Sequence, residues 1–495
     1  MDRRDFLKTA SLTALATGLA PAADALAGSM SSSSTSAAAK LAADSKADYT
    51  LRIARGVLEL SPDKLVSTIL YNGDFPGPLL RFQEGKPVTI DIFNDTGDDE
   101  QVHWHGQYLP DSVDGADEER TPPVPAHGHR REIFTPTPSG LRFYHTHVRA
   151  GDDLSRGLYS GQAGPVYIEP KHDPGSYDRE VFLTLKEFLP YFSRMDDDSP
   201  FMAPEGMELP LVTIAAKSDP NAGKVAPGYE LAYGAFAING KSLGHGEPIR
   251  VKRGERVLLH AINASATENR SLALPGHAFK VIALDGNPVP HPAEVPVLWL
   301  GAAERVSAIV KMNHPGVWVL GDLADGDREG GMGIVVEYAG ATGKPQWQAP
   351  PKFMWDYLRF ADPKRKVGKP DEVIDMLITE RQGAIHGFNE WRVNGVAYDW
   401  KSMPVNRKLK LGRRYRLRFR NASDDIHPLH LHRHTFELVN LHGHPTAGVM
   451  KDVVLVPPFQ TTEVDFTADQ PGLTLFHCHM QVHMDFGFMV LFETV

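Results

Sequence analysis

Along much of the chain, polar and apolar residues alternate singly, as in Lys408-Leu409-Lys410-Leu411 and Tyr415-Arg416-Leu417-Arg418-Phe419-Arg420. A period of two sends every second side chain to the same face, which is the pattern of a half-buried strand. The 44 glycines and 38 prolines cut these runs short, as turns between strands require. The pattern predicts an all-β chain of Greek-key sandwiches.

The alternating segments fall into three copies of one unit. Asn72-Gly73, Asn239-Gly240 and Asn394-Gly395 each close a strand-like run, and each is followed by a glycine that opens the next strand, with an asparagine nine residues later: Gly85 to Asn94, Gly254 to Asn263, Gly412 to Asn421. Nine residues beyond those asparagines stand His103-Trp104-His105, Leu272-Ala273-Leu274 and His430-Leu431-His432. Each unit ends alike, because Gly140, Gly316 and Gly472 precede by five residues the triplets His145-Thr146-His147, Gly321-Asp322-Leu323 and His477-Cys478-His479. The middle copy is blank at both places. Three tandem Greek-key β-sandwiches are therefore expected, at 47–172, 173–342 and 371–495, with a Pro- and Lys-rich linker at 343–370.

The N-terminal segment needs a separate reading. Arg3-Arg4-Asp5-Phe6-Leu7-Lys8 ahead of an Ala-rich apolar run resembles a twin-arginine export signal, expected to span 1–27, with Ala23-Asp24-Ala25 and Ala25-Leu26-Ala27 both fitting a small-x-small cleavage site. A Ser/Ala-rich tether comes next, at 28–46. The expected product is a periplasmic or secreted protein without a stable membrane anchor, delivered by the twin-arginine translocase. Its net charge of −10 and lack of a dense basic tract argue against nucleic acid as a partner. A single cysteine, Cys478, leaves no intramolecular disulfide, so in an oxidising compartment that thiol needs another role.

The histidines supply one. Ten of the 22 lie in four clusters: His103/His105, His145/His147, His427/His430/His432 and His477/His479/His483. On a strand, each His-x-His pair presents both imidazoles to one face, and neutral imidazole suits copper or zinc. The same period turns Cys478 away from His477 and His479, so one strand touches two metal sites. With His427 and His483, Cys478 completes a His2Cys trigonal set of the blue-copper kind, and the other eight histidines are enough for three more ions. His127-Gly128-His129 and His442-Gly443-His444 flank no repeat position and are expected in loops; His434 is expected to pack or support rather than ligate.

In order and spacing, HWHG, HTH, HPLHLH and HCHMQVH resemble the four copper-binding motifs of the multicopper oxidase family, and the resemblance covers all three units. It implies a cupredoxin-like fold for each unit and four coppers: His103 and His430 on type 2, His105, His145, His147, His432, His477 and His479 on the type 3 pair, and Cys478, His427 and His483 on type 1. It also implies that electrons enter at His483 and that O2 is reduced to water. The family's axial type 1 position falls on Phe488, which cannot coordinate, while Met489 follows one residue later. Asp114, nine residues after His105, matches the family's acid near type 2. The acid that bacterial relatives carry after the last motif histidine is replaced by Met484, leaving Asp485 as the candidate for a second proton path. The expected reductant is a phenol or aromatic amine, because the 14 methionines form no cluster of the kind cuprous oxidases carry. Oxidation of Cu(I), Fe(II) or Mn(II) is the alternative. Copper-free relatives that serve as cell-division scaffolds lack the ligands present here, and two-domain copper nitrite reductases lack the third unit.

Overall fold

The computed structural model describes residues 46–171, 176–194, 228–362 and 364–495. The expected signal and nearly all of the tether lie outside the described residues. From Ala47 onward the chain forms three successive β-sandwiches, each with one sheet that buries the unit's core and a second that carries the repeat's landmark triplets.

The second sheets share one strand order. In the first sandwich it runs Leu80–Gln83, Ala163–Glu169, Gly140–His145, His103–His105. The middle sandwich has Ile249–Val251, Gly333–Tyr338, Val317–Gly321, Arg270–Ala273 and Val297–Leu300, and the third has Val405–Leu409, Met489–Thr494, Gly472–Cys478, His427–Leu431 and Val453–Val456. In all three the outermost pair is parallel and the next pair antiparallel. Parallel neighbours cannot be joined by a hairpin, so the chain crosses to the other sheet between them, as a Greek key demands.

The repeated landmarks have local causes. Asn72, Asn239 and Asn394 sit at φ of 55°, 51° and 53°, each followed by a glycine near 80°, the left-handed pair that a tight hairpin turn requires. Their side-chain oxygens accept the backbone N–H of Arg52, Thr184 and Leu377, tying each turn to the neighbouring strand. The later asparagines pin the loops that lead to the triplets. Asn94, Asn263 and Asn421 each accept the N–H two residues on, from Thr96, Ser265 and Ser423. Each also donates through Nδ2 to a carbonyl four or five residues ahead, those of Asp98, Glu268 and Asp425.

The first sandwich has its own core around Leu51, Ile90, Trp104 and Tyr144. The middle and third share one continuous apolar cluster, from Leu259 and Trp299 to Phe419, Phe476 and Cys478. The stretch 343–370, a linker by composition, contributes Trp355, Tyr357 and Phe360 to that cluster. At roughly 1.5–3 kcal/mol for each large side chain fully buried, these aromatics dock the crossing onto both neighbours. No helix among the described residues is long and apolar enough to cross a membrane.

Candidate metal centre

Strand pairing brings the histidines together before any side-chain contact is considered. His103–His105 runs antiparallel to Gly140–His145 with His103 opposite His145, and His427–Leu431 runs antiparallel to Gly472–Cys478 with His430 opposite His477. The two sheets face each other. As a result the rings of His103 and His432 stack at 4.0 Å and those of His105 and His430 at 3.8 Å, each pair joining the first sandwich to the third. All eight imidazoles are buried.

Their nitrogens converge in three triads: His105/His145/His479, His147/His432/His477 and His103/His105/His430. His145 Nε2 lies 3.3 Å from both His105 Nδ1 and His479 Nε2, and His432 Nε2 lies 3.1 Å from His477 Nε2. Two imidazole nitrogens about 2.0 Å from one shared ion would be roughly this far apart at a tetrahedral angle. Six of the opposite nitrogens are held by the protein, whereas Nδ1 of His147 and of His479 has no hydrogen-bond partner. Nδ1–H of His103 donates to the Asp114 carbonyl (2.8 Å), that of His430 to the Asp452 carbonyl (2.8 Å), that of His145 to Thr146 O (2.8 Å) and that of His477 to Cys478 O (2.8 Å). His432 Nδ1–H donates to Asp114 Oδ2 at 2.8 Å. His105 is reversed: Nδ1 faces the cluster and Nε2 lies 3.1 Å from Asp452 Oδ1. Outer acceptors of this kind fix the tautomers of these six rings and aim a lone pair inward.

Those lone pairs are unmatched within the protein. Nε2 of His103, His147 and His430 is buried with no hydrogen-bond partner, and such an atom costs about 1–3 kcal/mol. Burial, then the neighbouring imidazoles, holds His105, His145, His147, His430, His477 and His479 well below the ordinary histidine range. They are therefore neutral and ready to ligate, and a borderline divalent ion such as copper or zinc fits this donor set.

Cys478 points to the other face. Its Sγ lies 3.4 Å from His483 Nδ1 and 3.7 Å from His427 Nδ1, the two nitrogens being 3.2 Å apart. The strand ends at Cys478, and a short helix, Gln481–Asp485, returns His483 to the thiol. Burial raises the Cys478 thiol well above its ordinary range and holds His483 at about 3. Trp391 closes one side, its ring 4.2 Å from that of His483. Phe488 packs in the same apolar cluster as Cys478, with its ring 5.0 Å from that of His427. Met489 belongs instead to a separate cluster with Leu475, Met484 and Tyr398.

The carboxylates divide by position. Burial opposes ionisation of Asp114, but its electrostatic interactions and hydrogen bonds with His103 and His432 overcome it and hold its carboxyl well below the usual range. Asp485 makes no hydrogen bond or ion pair with the eight histidines. It accepts from the backbone of Ala150 (3.0 Å) and Gly151 (2.6 Å) and from Gln481 Nε2 (2.8 Å), and burial pushes it up to about 7. Three acids next to the candidate ligands are not evident from the sequence pattern. Glu118 Oε2 is 3.7 Å from His147 Nδ1, Glu119 Oε2 is 3.6 Å from His432 Nδ1, and Asp452 holds His105. Burial raises both Glu118 and Glu119 to about 8. The only sequence signals are an acidic triplet, Asp117-Glu118-Glu119, soon after Asp114 and a lone charged pair, Lys451-Asp452, ahead of the apolar run Val453–Val456. His434 Nδ1–H donates to the His432 carbonyl at 3.0 Å, while His129 lies at the surface on Asp91 and His444 is exposed.

Three family models described as multicopper oxidase match residues 55–173, 213–329 and 372–495. The chain is 30% identical to multicopper oxidase MmcO of Mycobacterium tuberculosis, over 98% of this chain and 96% of that protein. It is 24% identical to laccase-1 of Agaricus bisporus, over 88% and 87% of the two chains. Among solved structures, that of Fet3p, a multicopper oxidase that functions in iron import, superposes with a TM-score of 0.72 at 18% identity, covering 90% of each chain.

Proposed function

The chain belongs to the multicopper oxidase family, and on that premise we propose that it is a laccase-like oxidase holding four coppers, which takes single electrons from a phenol or aromatic amine at the His483 edge. The observation that carries the reading is Cys478, which shares a site with His427 and His483 while its chain neighbours His477 and His479 turn into the eight-histidine cluster. Cys478, His427 and His483 are assigned to type 1. His103 and His430 would hold type 2, with His105, His145 and His479 on one type 3 ion and His147, His432 and His477 on the other. Copper bound there supplies one-electron chemistry, and four ions match the four electrons that convert O2 to water.

The remaining work falls to the chain's own residues. Cys478 is covalently continuous with a ligand on each side, so one strand end joins the two sites. Asp114 takes the Nδ1–H of His432 and so directs that ring's Nε2 to the cluster. Glu118, 3.7 Å from His147, and Asp485 are buried acids able to hold protons that O2 reduction consumes. Phe488 excludes water from the Cys478 face and offers no axial donor, which favours a high type 1 potential. Export by the twin-arginine translocase to the periplasm or exterior is proposed from Arg3-Arg4 and the apolar run behind them.

One observation favours a metal ion as reductant instead. Asp425 Oδ2 lies 3.9 Å from His483 Nε2, and burial, then mutual repulsion with Asp425 and Asp424, raises Glu230 and Glu380 to about 8. Oxygen donors of this kind suit Fe(II) or Mn(II) better than Cu(I). Oxygen uptake by the copper-loaded protein, with a dimethoxyphenol beside Fe(II), decides between the readings. Faster turnover of the phenol is expected; a clear preference for Fe(II) would replace it with a metal oxidase.

A further inference from the structure

We propose that the middle sandwich, which carries no ligand, sets the trinuclear centre through Arg305 and Asp285, positioning residues that grip Asp452 and through it align His105 and His430. The inference rests on the reading of those two histidines as copper ligands. It concerns what holds them, not what they bind.

Asp452 engages the outer nitrogens of ligands from both outer sandwiches. Its side chain faces Nε2 of His105 at 3.1 Å, and its backbone carbonyl accepts Nδ1–H of His430 at 2.8 Å. The two imidazoles lie 12° from parallel with centroids 3.8 Å apart, so a shift of Asp452 moves both. The middle sandwich holds Asp452 at each end. Arg305 donates Nη1–H to Oδ1 and Nη2–H to Oδ2, both at 2.6 Å, a bidentate fork that fixes the carboxylate plane. Asp285 Oδ2 accepts the N–H of Asp452 at 3.3 Å and of Val453 at 3.1 Å. The first sandwich adds Arg142, whose Nη1 is 3.3 Å from Asp452 Oδ2. All four side chains are buried.

The arrangement explains two sequence features. Gly106, the last residue of HWHG, has φ of +81°, and a Cβ there would stand 2.6 Å from Arg305 Nη2 and 2.7 Å from Asp452 Oδ2. Glycine leaves the fork room against His105. It also explains the reversed ring: His105 Nε2 faces the carboxylate gripped by the Arg305 fork, which leaves Nδ1 for the metal. A buried ion network is weak evidence for stability, since apolar packing would serve as well. A carboxylate shared between an arginine fork and a ligand is what orientation requires.

The test compares Arg305→Lys, which keeps the charge and loses the fork, with Asp452→Asn, which keeps an acceptor and loses the charge. Three readouts are taken on copper-loaded protein: copper per chain, the blue type 1 absorption, and the KM and kcat of oxygen-coupled turnover. Both variants are expected to keep the blue absorption and KM while kcat or copper affinity at the trinuclear site falls about 10–100-fold. Full copper content with kcat within about twofold of wild type in both variants would overturn the proposal. Loss of the blue band in wild type would instead defeat the family-site reading. If neither variant folds, neutron diffraction on the loaded wild-type protein decides: a deuterium on His105 Nε2 directed at Asp452 supports the clamp, and a bare Nε2 overturns it.

Discussion

The outer and middle sandwiches place different chemistry on the same strands. In the first and third, the landmark triplets bring eight imidazoles into one buried space and turn a thiol toward another, leaving several nitrogens with no partner inside the protein. In the middle one, Leu272 and Leu274 stand in those places and join the apolar core. Asp322, at the position of Cys478, is satisfied locally, accepting from the Ser271 hydroxyl at 2.8 Å and its N–H at 3.2 Å. Even the register differs: Ala273, not Leu272, faces Gly321. The fold therefore needs no metal to close. Where histidines occupy these strands they cost stability, and that cost marks them as functional.

The comparison can be broken in both directions. Making the third sandwich resemble the middle one, with His430→Leu and His432→Leu together, is expected to abolish oxygen uptake while the blue absorption of the Cys478 site survives; both are read on the same copper-loaded sample. The reverse exchange, Leu272→His with Leu274→His, should build no site, because the partner strands supply Gly321, Asp322 and Leu323 in place of ligands. Two imidazoles would be buried unmatched at about 1–3 kcal/mol each, so denaturant unfolding should show a loss of roughly 2–6 kcal/mol with copper content unchanged.

A smaller effect separates the rim of the Cys478 site from the centre. Burial, then repulsion from Asp425 and Asp424, raises Glu380 to about 8, against an ordinary value near 4.3. A raised carboxyl favours folding fully below about pH 4, and that contribution is lost as pH rises through about 8. Glu380→Gln should flatten this fall, leaving the variant more stable than wild type at pH 9 and no more stable at pH 4. Equal pH slopes for the two proteins would show that Glu380 is not the titrating group.

Much of this is legible in the chain because the features involved are local and periodic. The Asn-Gly turns, the asparagine landmarks and the histidine triplets each carry their meaning within a few residues, and a period of two states which side chain shares a face. The short helix bearing His483 is not, since Met480-Gln481-Val482 offers no cap or stop. The Asp452 clamp is invisible for a different reason. Its partners His105 and Arg305 lie 347 and 147 residues away, and neither spacing nor period links them. Aromatic residues hidden in a Pro- and Lys-rich stretch likewise read as a spacer until their burial is seen.

The proposal that one strand end serves two metal sites is tested most directly by Cys478→Ser, with copper content, blue absorption and oxygen uptake measured together. Loss of the blue band and of oxygen uptake is predicted, with the three trinuclear coppers retained. A variant that stays blue and keeps turning over O2 would contradict it.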